Sequence, residues 1–163
     1  MKLTLVTPSE EYKRSYLEAV KGFKAEGLWW HQETDIAKLD PEFDAFIEEL
    51  RNSKGETTFW AIINDEFAGR ISVRHELTPA LRIMGGNIGY DVAPKFRKQG
   101  VASEMLRKVL PFAKSLGLIE VLITCDDTNV GSIKAIEKNG GILKEERLLA
   151  EGKPLKRYYW INL

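Results

Sequence analysis

The order of the predicted strands and helices indicates an α/β fold of mixed α+β character, with a central mixed, mostly antiparallel sheet of about seven strands and helices on both of its faces. The chain of 163 residues has the length of one domain, and no repeat or low-complexity linker divides residues 1–163. Short segments rich in β-branched and aromatic residues are typical of strands. Helical segments separate only some of these strands, so the order differs from the strict alternation of a doubly wound parallel sheet.

The N-terminal third is predicted to contain one strand, over residues 2–6, and two helices. Each helix begins with a capping residue and a proline at the first helical position, Thr7-Pro8 in the first and Asp40-Pro41 in the second. Apolar side chains then recur at the three-to-four spacing of one buried helical face. We expect the first helix to end near Gly27 and the second to end within residues 52–55.

The rest of the chain is predicted to contain the remaining strands and two further helices. Runs of β-branched, aromatic and aliphatic residues between turn residues predict strands over 57–63, 67–74, 87–92, 120–125, 142–147 and 156–161. Helices are predicted over 101–116 and 130–138, with a further helical turn within 78–84. Pro111 should bend the first of these helices, because it removes one backbone hydrogen bond.

Composition and charge exclude several classes of protein. The 24 Lys and Arg residues balance 24 Asp and Glu residues, so the chain lacks the basic footprint of a nucleic-acid-binding protein. It contains no run of about 18 or more apolar residues, and no membrane span is expected. Because Cys125 is the only cysteine and no charged-then-apolar leader is present, we expect a cytoplasmic protein. His31 and His75 belong to no Cys/His cluster or H-E-x-x-H pattern, and no metal site is expected.

Positive charge is concentrated in one segment. Residues 94–114 contain six basic residues against Glu104 alone, namely Lys95, Arg97, Lys98, Arg107, Lys108 and Lys114. Positive potential beside a cleft attracts small anions. A solvated helix face would carry the same charges, so the charge count alone leaves both interpretations open.

The first part of this segment, residues 94–102, lies between a predicted strand and the start of a predicted helix. The first backbone N–H groups of a helix lack internal acceptors and together carry about half a positive charge, so they bind phosphate groups. Gly100 and Ala102 keep side-chain bulk away from these N–H groups, and Arg97 and Lys98 add positive charge. This arrangement predicts a phosphate-bearing ligand.

The same segment, extended back to Gly89, closely resembles the acyl-CoA-binding signature of the GNAT superfamily of N-acetyltransferases. That signature is Gln or Arg, two variable residues, Gly, one variable residue, and Gly or Ala. Arg97, Gly100 and Ala102 stand at its fixed positions. A second segment, residues 129–140, is similar to the second motif of that family. Together with the order of elements, the resemblance covers nearly the whole chain.

The resemblance implies the acyl-CoA N-acyltransferase (GNAT) fold and a site for acetyl-CoA as co-substrate, with no metal. The pantetheine arm would enter a V-shaped opening between strand 87–92 and a parallel strand 120–125. Backbone groups of residues 90–92 would pair with its amides, and those of residues 98–103 would hold its pyrophosphate. The implied cofactor-binding residues are Tyr90, Asp91, Val92, Arg97, Lys98, Gln99, Gly100, Val101, Ala102, Ser103, Asn129, Ser132 and Lys138.

The resemblance also implies transfer of the acetyl group to a primary amine, of a small molecule or a peptide, by direct attack in a ternary complex. Many members have a Tyr four residues after the Ser of the second motif, where this chain has Ile136. Tyr90 is a candidate acid for the departing thiolate, with Tyr158 or Tyr159 on the last strand as alternatives, and packing is the competing role for a Tyr in a strand. Glu76, Asp91 and Glu33 are candidate bases. The alternative function is a catalytically weak or inactive acyl-CoA-binding sensor domain. Because dimers are common in the superfamily, a homodimer is a further expectation.

The aromatic pair Trp29-Trp30 follows the first predicted helix. Paired aromatic faces supply apolar area and cation–π contacts for an amine, which would suit a lid over the acceptor. Core packing of at least one of the two rings explains the pair equally well.

Overall fold

The computed structural model of the chain describes residues 2–28 and 33–163, and the strands and helices in these ranges follow the predicted order. The strands are β1 (Leu3–Val6), β2 (Glu56–Ile63), β3 (Glu66–Arg74), β4 (Ile88–Val92), β5 (Glu120–Asp126), β6 (Ile142–Arg147) and β7 (Lys156–Asn162). The helices are α1 (Lys13–Ala25), α2 (Ile36–Leu39), α3 (Phe43–Arg51), α4 (Pro79–Ile83), α5 (Val101–Ser115) and α6 (Val130–Lys138). None of the helices in the two described ranges is long and apolar enough to cross a lipid bilayer.

The N-terminal helices begin later than the sequence predicts. Pro8 is not in a helix, because the Nε of Arg51 donates a hydrogen bond of 2.8 Å to its carbonyl and ties the extended segment to the end of α3. Ser9 is the capping residue instead of Thr7, and its hydroxyl accepts from the N–H of Glu11 at the start of a 3-10 turn. The short helix α2 is an element that the sequence analysis did not predict.

The seven strands form two sheets instead of the single sheet predicted. The first sheet has the order β1-β2-β3-β4 and the second has the order β5-β7-β6, with antiparallel pairing throughout. The two sheets meet at a β-bridge between Gly86, just before β4, and Ile123 in the middle of β5. At this bridge the start of β4 lies beside β5, whereas the later residues of β4 pair with β3.

Helices cover both faces of the first sheet, as predicted. Neighbouring residues of a strand point to opposite faces. Trp60 of β2 stacks on Tyr16 of α1, with ring centroids 4.6 Å apart, and Phe59 contacts the edge of Phe112 of α5 at 5.0 Å. Because these two strand residues are adjacent, α1 lies on one face and α5 on the other.

One glycine allows β4 to lie close to β3. A Cβ atom on Gly69 would stand 2.4 Å from the carbonyl oxygen of Asp91, far inside van der Waals contact. Gly69 is paired with Val92, directly beside this carbonyl. The missing side chain therefore fixes the position of the last residues of β4, which border the candidate site.

Candidate active site

A cavity of about 890 Å³ opens beside β4, where the two sheets have separated. β4 pairs with β3 along Ile88–Val92, and β5 pairs with β7. The walls of the cavity come from the end of β4, the loop that follows it, the N-terminal turn of α5, and the length of α6. The structure thus brings the two segments that resemble the family motifs to one concave surface.

Most of the predicted cofactor-binding residues line this cavity. They are Tyr90, Asp91, Val92, Arg97, Lys98, Gly100, Val101, Ala102, Ser103, Asn129, Ser132 and Lys138. Gln99 lines a neighbouring cavity of about 350 Å³, which shares Gly100, Ser103 and Lys138 with the first. The lining also includes Lys134, which the sequence analysis missed although its four-residue spacing from Lys138 places both on one face of α6.

The N-terminus of α5 presents backbone N–H groups to the cavity. Gly100 is its capping residue, with a φ of 79° and no side-chain cap, and the first bond within the helix runs from the N–H of Glu104 to the carbonyl of Gly100. The preceding N–H groups, of residues 101–103, have no acceptor inside the helix. No atom lies within 4 Å of where a Cβ of Gly100 would be, so the approach to these donors is open.

Lys98 and Arg97 differ in how they contribute charge at this loop. Lys98 lines the cavity with a φ of 59°, a left-handed backbone conformation that non-glycine residues adopt at a cost and often at ligand sites. The Nη1 of Arg97 donates to Glu26 at 2.7 Å, and its Nε donates to the carbonyl of Val92 at 3.1 Å. The guanidinium of Arg97 is therefore bound to Glu26 at the end of α1. Within the described residues, the cationic side chains that line the cavity without an ion pair are Lys98, Lys134 and Lys138.

Tyr90 and Ser132 approach each other from opposite walls. The hydroxyl of Tyr90 on β4 lies 2.7 Å from the Oγ of Ser132 on α6. Burial raises the pKa of Tyr90 above its usual range, and the hydrogen bond with Ser132 opposes this shift only in part. Asn129 holds the start of α6 in place, because its Oδ1 accepts from the N–H of Ser132 at 3.1 Å. The phenol therefore stays protonated at neutral pH and can donate a hydrogen bond.

Asp91 points to the other face of the sheet. Its carboxylate accepts from the Nε of Arg70 at 2.8 Å, and its side chain is 8% exposed. Asp91 in turn raises the pKa of Arg70, since its negative charge stabilises the guanidinium. The two residues are directly paired across β3 and β4. Asp91 and Tyr90 are therefore adjacent in sequence but project from opposite sides of β4.

The structure does not bring Glu76 to the cavity. It is exposed beyond the end of β3 and lines neither cavity. The neighbouring His75 lies 2.8 Å from the hydroxyl of Thr57 through its Nε2. Trp29, Trp30 and His31 lie outside the described residues. Within residues 2–28 and 33–163, no group of three or more His, Cys, Asp and Glu side chains is arranged to hold a metal ion.

Ile136 occupies the position where many family members have a Tyr, and it belongs to the core. Its side chain is fully buried on the inner face of α6. A Cβ on Gly141 would lie 2.3 Å from the Cγ2 of Ile136, so the chain folds back tightly against this side chain. The position therefore supplies packing, and the hydroxyl nearest to Ser132 comes from β4 instead.

A strand, a glycine-containing loop and a helix N-terminus together line this cleft, and free N–H groups at a helix N-terminus are the kind of donor that binds anions. The family profile described as "Acetyltransferase (GNAT) domain" matches residues 2–142. The chain belongs to the GNAT acetyltransferase family. No curated protein sequence gives a significant match to the chain.

Solved structures of acetyltransferases share this fold. A structure of RimL, a ribosomal L7/L12 alpha-N-protein acetyltransferase in complex with coenzyme A, superposes with a TM-score of 0.77 at 20% identity, covering 100% of this chain and 95% of that one. RimJ of Mycobacterium smegmatis in complex with CoA-disulfide gives a TM-score of 0.75 at 16% identity, covering 98% and 81%. The microcin C7 self-immunity acetyltransferase MccE in complex with acetyl-CoA and AMP gives 0.74 at 16% identity, covering 99% and 93%. The GNAT fold predicted from the sequence is confirmed.

Proposed function

We propose that this protein is an N-acetyltransferase that transfers the acetyl group of acetyl-CoA to a primary amine by direct attack in a ternary complex. The observation that carries the proposal is the open N-terminus of α5 at Gly100, which faces a cavity beside the separated strands β4 and β5. Membership of the GNAT family supports the same activity. The solved relatives in complex with CoA or acetyl-CoA make that co-substrate the first to test.

The cleft fits a long thiol carrier with a diphosphate. The N–H groups of residues 98–103 would hold the pyrophosphate, because a helix N-terminus without a side-chain cap offers several donors at once. Lys98, Lys134 and Lys138 would add positive charge around it. Among the described residues β4 pairs with β3 from Ile88 to Val92, and the backbone groups of Tyr90 and Val92 on its other edge would pair with the pantetheine amides.

The chemistry would depend on position and on hydrogen bonding. Holding an amine about 3–3.5 Å from the thioester carbon would lower the activation barrier by about 7–11 kcal/mol through proximity. One backbone N–H of β4 directed at the developing oxyanion would contribute about 2.7–4 kcal/mol more. Tyr90 would donate a hydrogen bond to the departing thiolate, since its phenol is protonated and lies at the wall of the cavity.

Asp91 and Glu76 are the proposed candidates for the base that removes the proton from the ammonium group. Asp91 is among the residues that line the cavity, although Arg70 binds its carboxylate on the other face of β4, whereas Glu76 lines neither cavity. The two candidates are separated by the variants described in the Discussion.

The second candidate function is an acyl-CoA-binding sensor domain with weak or no catalysis. The packing of Ile136 in the core favours it, because the position that carries a Tyr in many family members holds no acid here. Such a domain would bind acetyl-CoA as tightly as an enzyme but would release no thiol in the presence of amines.

The site does not select one class of amine acceptor. The solved relatives are named for different acceptors: RimL for ribosomal L7/L12, and a chimera of Vibrio cholerae SpeG with hSSAT for spermidine. A thiol-release assay with acetyl-CoA should therefore test peptides with a free N-terminus, polyamines and small metabolite amines side by side. Turnover with at least one class supports the enzyme. Tight acetyl-CoA binding without thiol release from any class would support the sensor domain instead.

A further inference from the structure

Asn87 joins the two sheets at the point where they begin to separate. Its backbone N–H donates to the carbonyl of Leu122 at 2.7 Å, and its side-chain Oδ1 accepts from the N–H of Leu122 at 2.9 Å. Its own backbone carbonyl accepts from the N–H of Arg74 at 2.7 Å. Asn87 is 2% exposed. One buried residue therefore bonds to β3 on one side and to β5 on the other.

The carboxamide is needed because the backbone carbonyl of Asn87 is already in use. A residue in a strand has one carbonyl, which can face only one neighbouring strand. Here that carbonyl faces the N–H of Arg74, and the side chain takes the place that a backbone carbonyl would have opposite Leu122. Without this oxygen the N–H of Leu122, a residue only 2% exposed, would be left without its acceptor.

The residues just before Asn87 are held equally tightly. A Cβ on Gly86 would stand 2.3 Å from the carbonyl of Leu122, and the φ of Gly86 is 65°, so this close approach requires glycine. The Nη1 of Arg74 donates to the carbonyls of Gly85 and Gly86 at 3.0 and 3.1 Å. The N–H of Gly85 donates to the hydroxyl of Thr124 at 3.0 Å. Several hydrogen bonds thus join this segment to β5 up to Asn87, and from Ile88 onward the described residues pair β4 with β3 alone.

The vertex of the cleft lies opposite the phosphate-binding end. The loop with Gly100 follows the last residue of β4, whereas Asn87 precedes its first residue. A carrier held by its diphosphate near Gly100 would extend along β4 toward Asn87, with its acyl end foremost. Tyr90 lies three positions after Asn87 in extended strand, a distance of about 10 Å. The cavity lining on β4 reaches Tyr90, so an acyl chain that extended further along the strand would meet the place where Asn87 joins β4 to β5.

The geometry points to Asn87 as a positioning residue that fixes the vertex of the cleft and so limits the length of the acyl chain that can be transferred. This inference rests on the proposed function, because it assumes an acyl-CoA in the cavity. Asn87 acts through Leu122 and the separation of β4 from β5, with no contact to the reacting atoms. The carboxamide keeps the vertex closed, and its loss would let longer acyl groups enter.

Asn87→Ala removes the acceptor oxygen, and it also removes the amide nitrogen that donates to the carbonyl of Arg74 at 3.4 Å. Thr58→Val is the matched control, because it removes a buried side-chain hydrogen bond of 2.8 Å, to Ser72, within the first sheet and outside the cavity lining. The measurements are the dissociation constant for free CoA, those for acetyl-CoA and butyryl-CoA by calorimetry, and kcat/KM with both acyl donors. Thermal melts show which variants are folded at the assay temperature.

For Asn87→Ala we expect little change in CoA affinity and a rise of about tenfold in the preference for butyryl over acetyl donors, the scale at which a pocket distinguishes chains by a methylene group. Thr58→Val should keep the wild-type preference. If Asn87→Ala is unfolded, Asn87→Ser replaces it, and a smaller shift in the same direction is expected.

A folded Asn87→Ala or Asn87→Ser with the wild-type donor preference would overturn the inference. A uniform loss with both donors would do the same, since it would indicate a structural role alone. These outcomes are distinct from failure of the proposed function, which would appear as a wild-type protein that binds no CoA. The calorimetric ratio needs no turnover, so it also tests the inference in a sensor domain.

Discussion

The hydroxyl of Tyr90 and the Oγ of Ser132 lie 2.7 Å apart, one on β4 and the other on α6. This pair joins the two walls of the cavity in the region that a pantetheine thiol would have to reach. Ile136, one turn after Ser132 on the same helix, is buried in the core. The phenol of Tyr90 is consequently the protonated hydroxyl that the structure offers from the opposite wall.

Replacement of Tyr90 by Phe should lower kcat more than it changes the affinity for acetyl-CoA. A hydrogen bond to a charged group contributes about 1.5–3 kcal/mol, so we expect kcat to fall by about ten- to a hundredfold. Steady-state kinetics with the best amine of the panel and calorimetry with acetyl-CoA measure the two effects. Tyr159→Phe is the control, because it removes a hydroxyl that lies outside the cavity lining, 3.3 Å from Glu137. Equal kcat values for the two variants would argue against a role for Tyr90 in the reaction.

The variants Asp91→Asn and Arg70→Gln test whether Asp91 acts as a catalytic base or only as part of a structural ion pair. Both substitutions break the 2.8 Å contact, but only the first removes the carboxylate. If Asp91 is the base, Asp91→Asn should lower kcat by about a hundredfold or more, whereas Arg70→Gln should keep most of the activity. Similar losses in both variants would assign the pair to structure alone. Glu76→Gln, measured in the same assay, should have little effect because Glu76 lies away from both cavities.

Release of Arg97 from Glu26 should strengthen CoA binding. The Nη1 of Arg97 donates to Glu26 at 2.7 Å, and Glu26→Gln would free the guanidinium for a phosphate oxygen. An exposed ion pair is worth about 0.2–1 kcal/mol, so the dissociation constant should fall by about two- to fivefold, and more at low salt. Glu66→Gln is the matched control, since Glu66 pairs with Lys95, which does not line the cavity. Tighter binding in the control but not in Glu26→Gln would contradict this assignment.

The buried phenol of Tyr16 should make the fold sensitive to alkali. Burial raises the pKa of Tyr16 from 10.0 to about 12. Below pH 10 both the folded and unfolded states hold this proton. Between pH 10 and 12 the unfolded state loses it first, so the free energy of unfolding should fall by up to about 1.4 kcal/mol per pH unit from this group. Denaturant unfolding at about pH 9 and about pH 11 measures the change. Tyr16→Phe should reduce the loss, and an identical loss in the variant would show that other groups cause it.

Much of the fold could be predicted from the sequence because strands and helices have local signals. Period-two and three-to-four spacings predicted the order of elements, and the strand, loop and helix around Gly100 identified a segment that lines the cavity. The start of the first helix was predicted wrongly, because Thr7 and Ser9 are both good capping residues. The choice between them depends on Arg51, which binds the carbonyl of Pro8 from 43 positions away.

The contacts that shape the cavity could not be predicted, because they join distant parts of the chain. Arg97 fits the family signature, yet its guanidinium is bound by Glu26, 71 positions earlier. The two sheets are joined where the side chain of Asn87 accepts from the N–H of Leu122, 35 positions later. Neither relationship has a spacing that a single sequence reveals. Lys134 had such a signal, four residues before Lys138 on one helix, and a search for helical faces would have found it.

The binding of acetyl-CoA at the N-terminus of α5 is the central claim, and calorimetry on wild type and Gly100→Glu tests it most directly. Gly117→Glu is the matched control, because Gly117 also has a left-handed φ, of 86°, and open space around its Cβ position, but lies beyond the other end of α5. We expect saturable binding by the wild type and by Gly117→Glu, and none by Gly100→Glu, whose carboxylate would repel the diphosphate. A folded Gly100→Glu protein with wild-type affinity, or a wild type that produces no binding heat, would contradict the account.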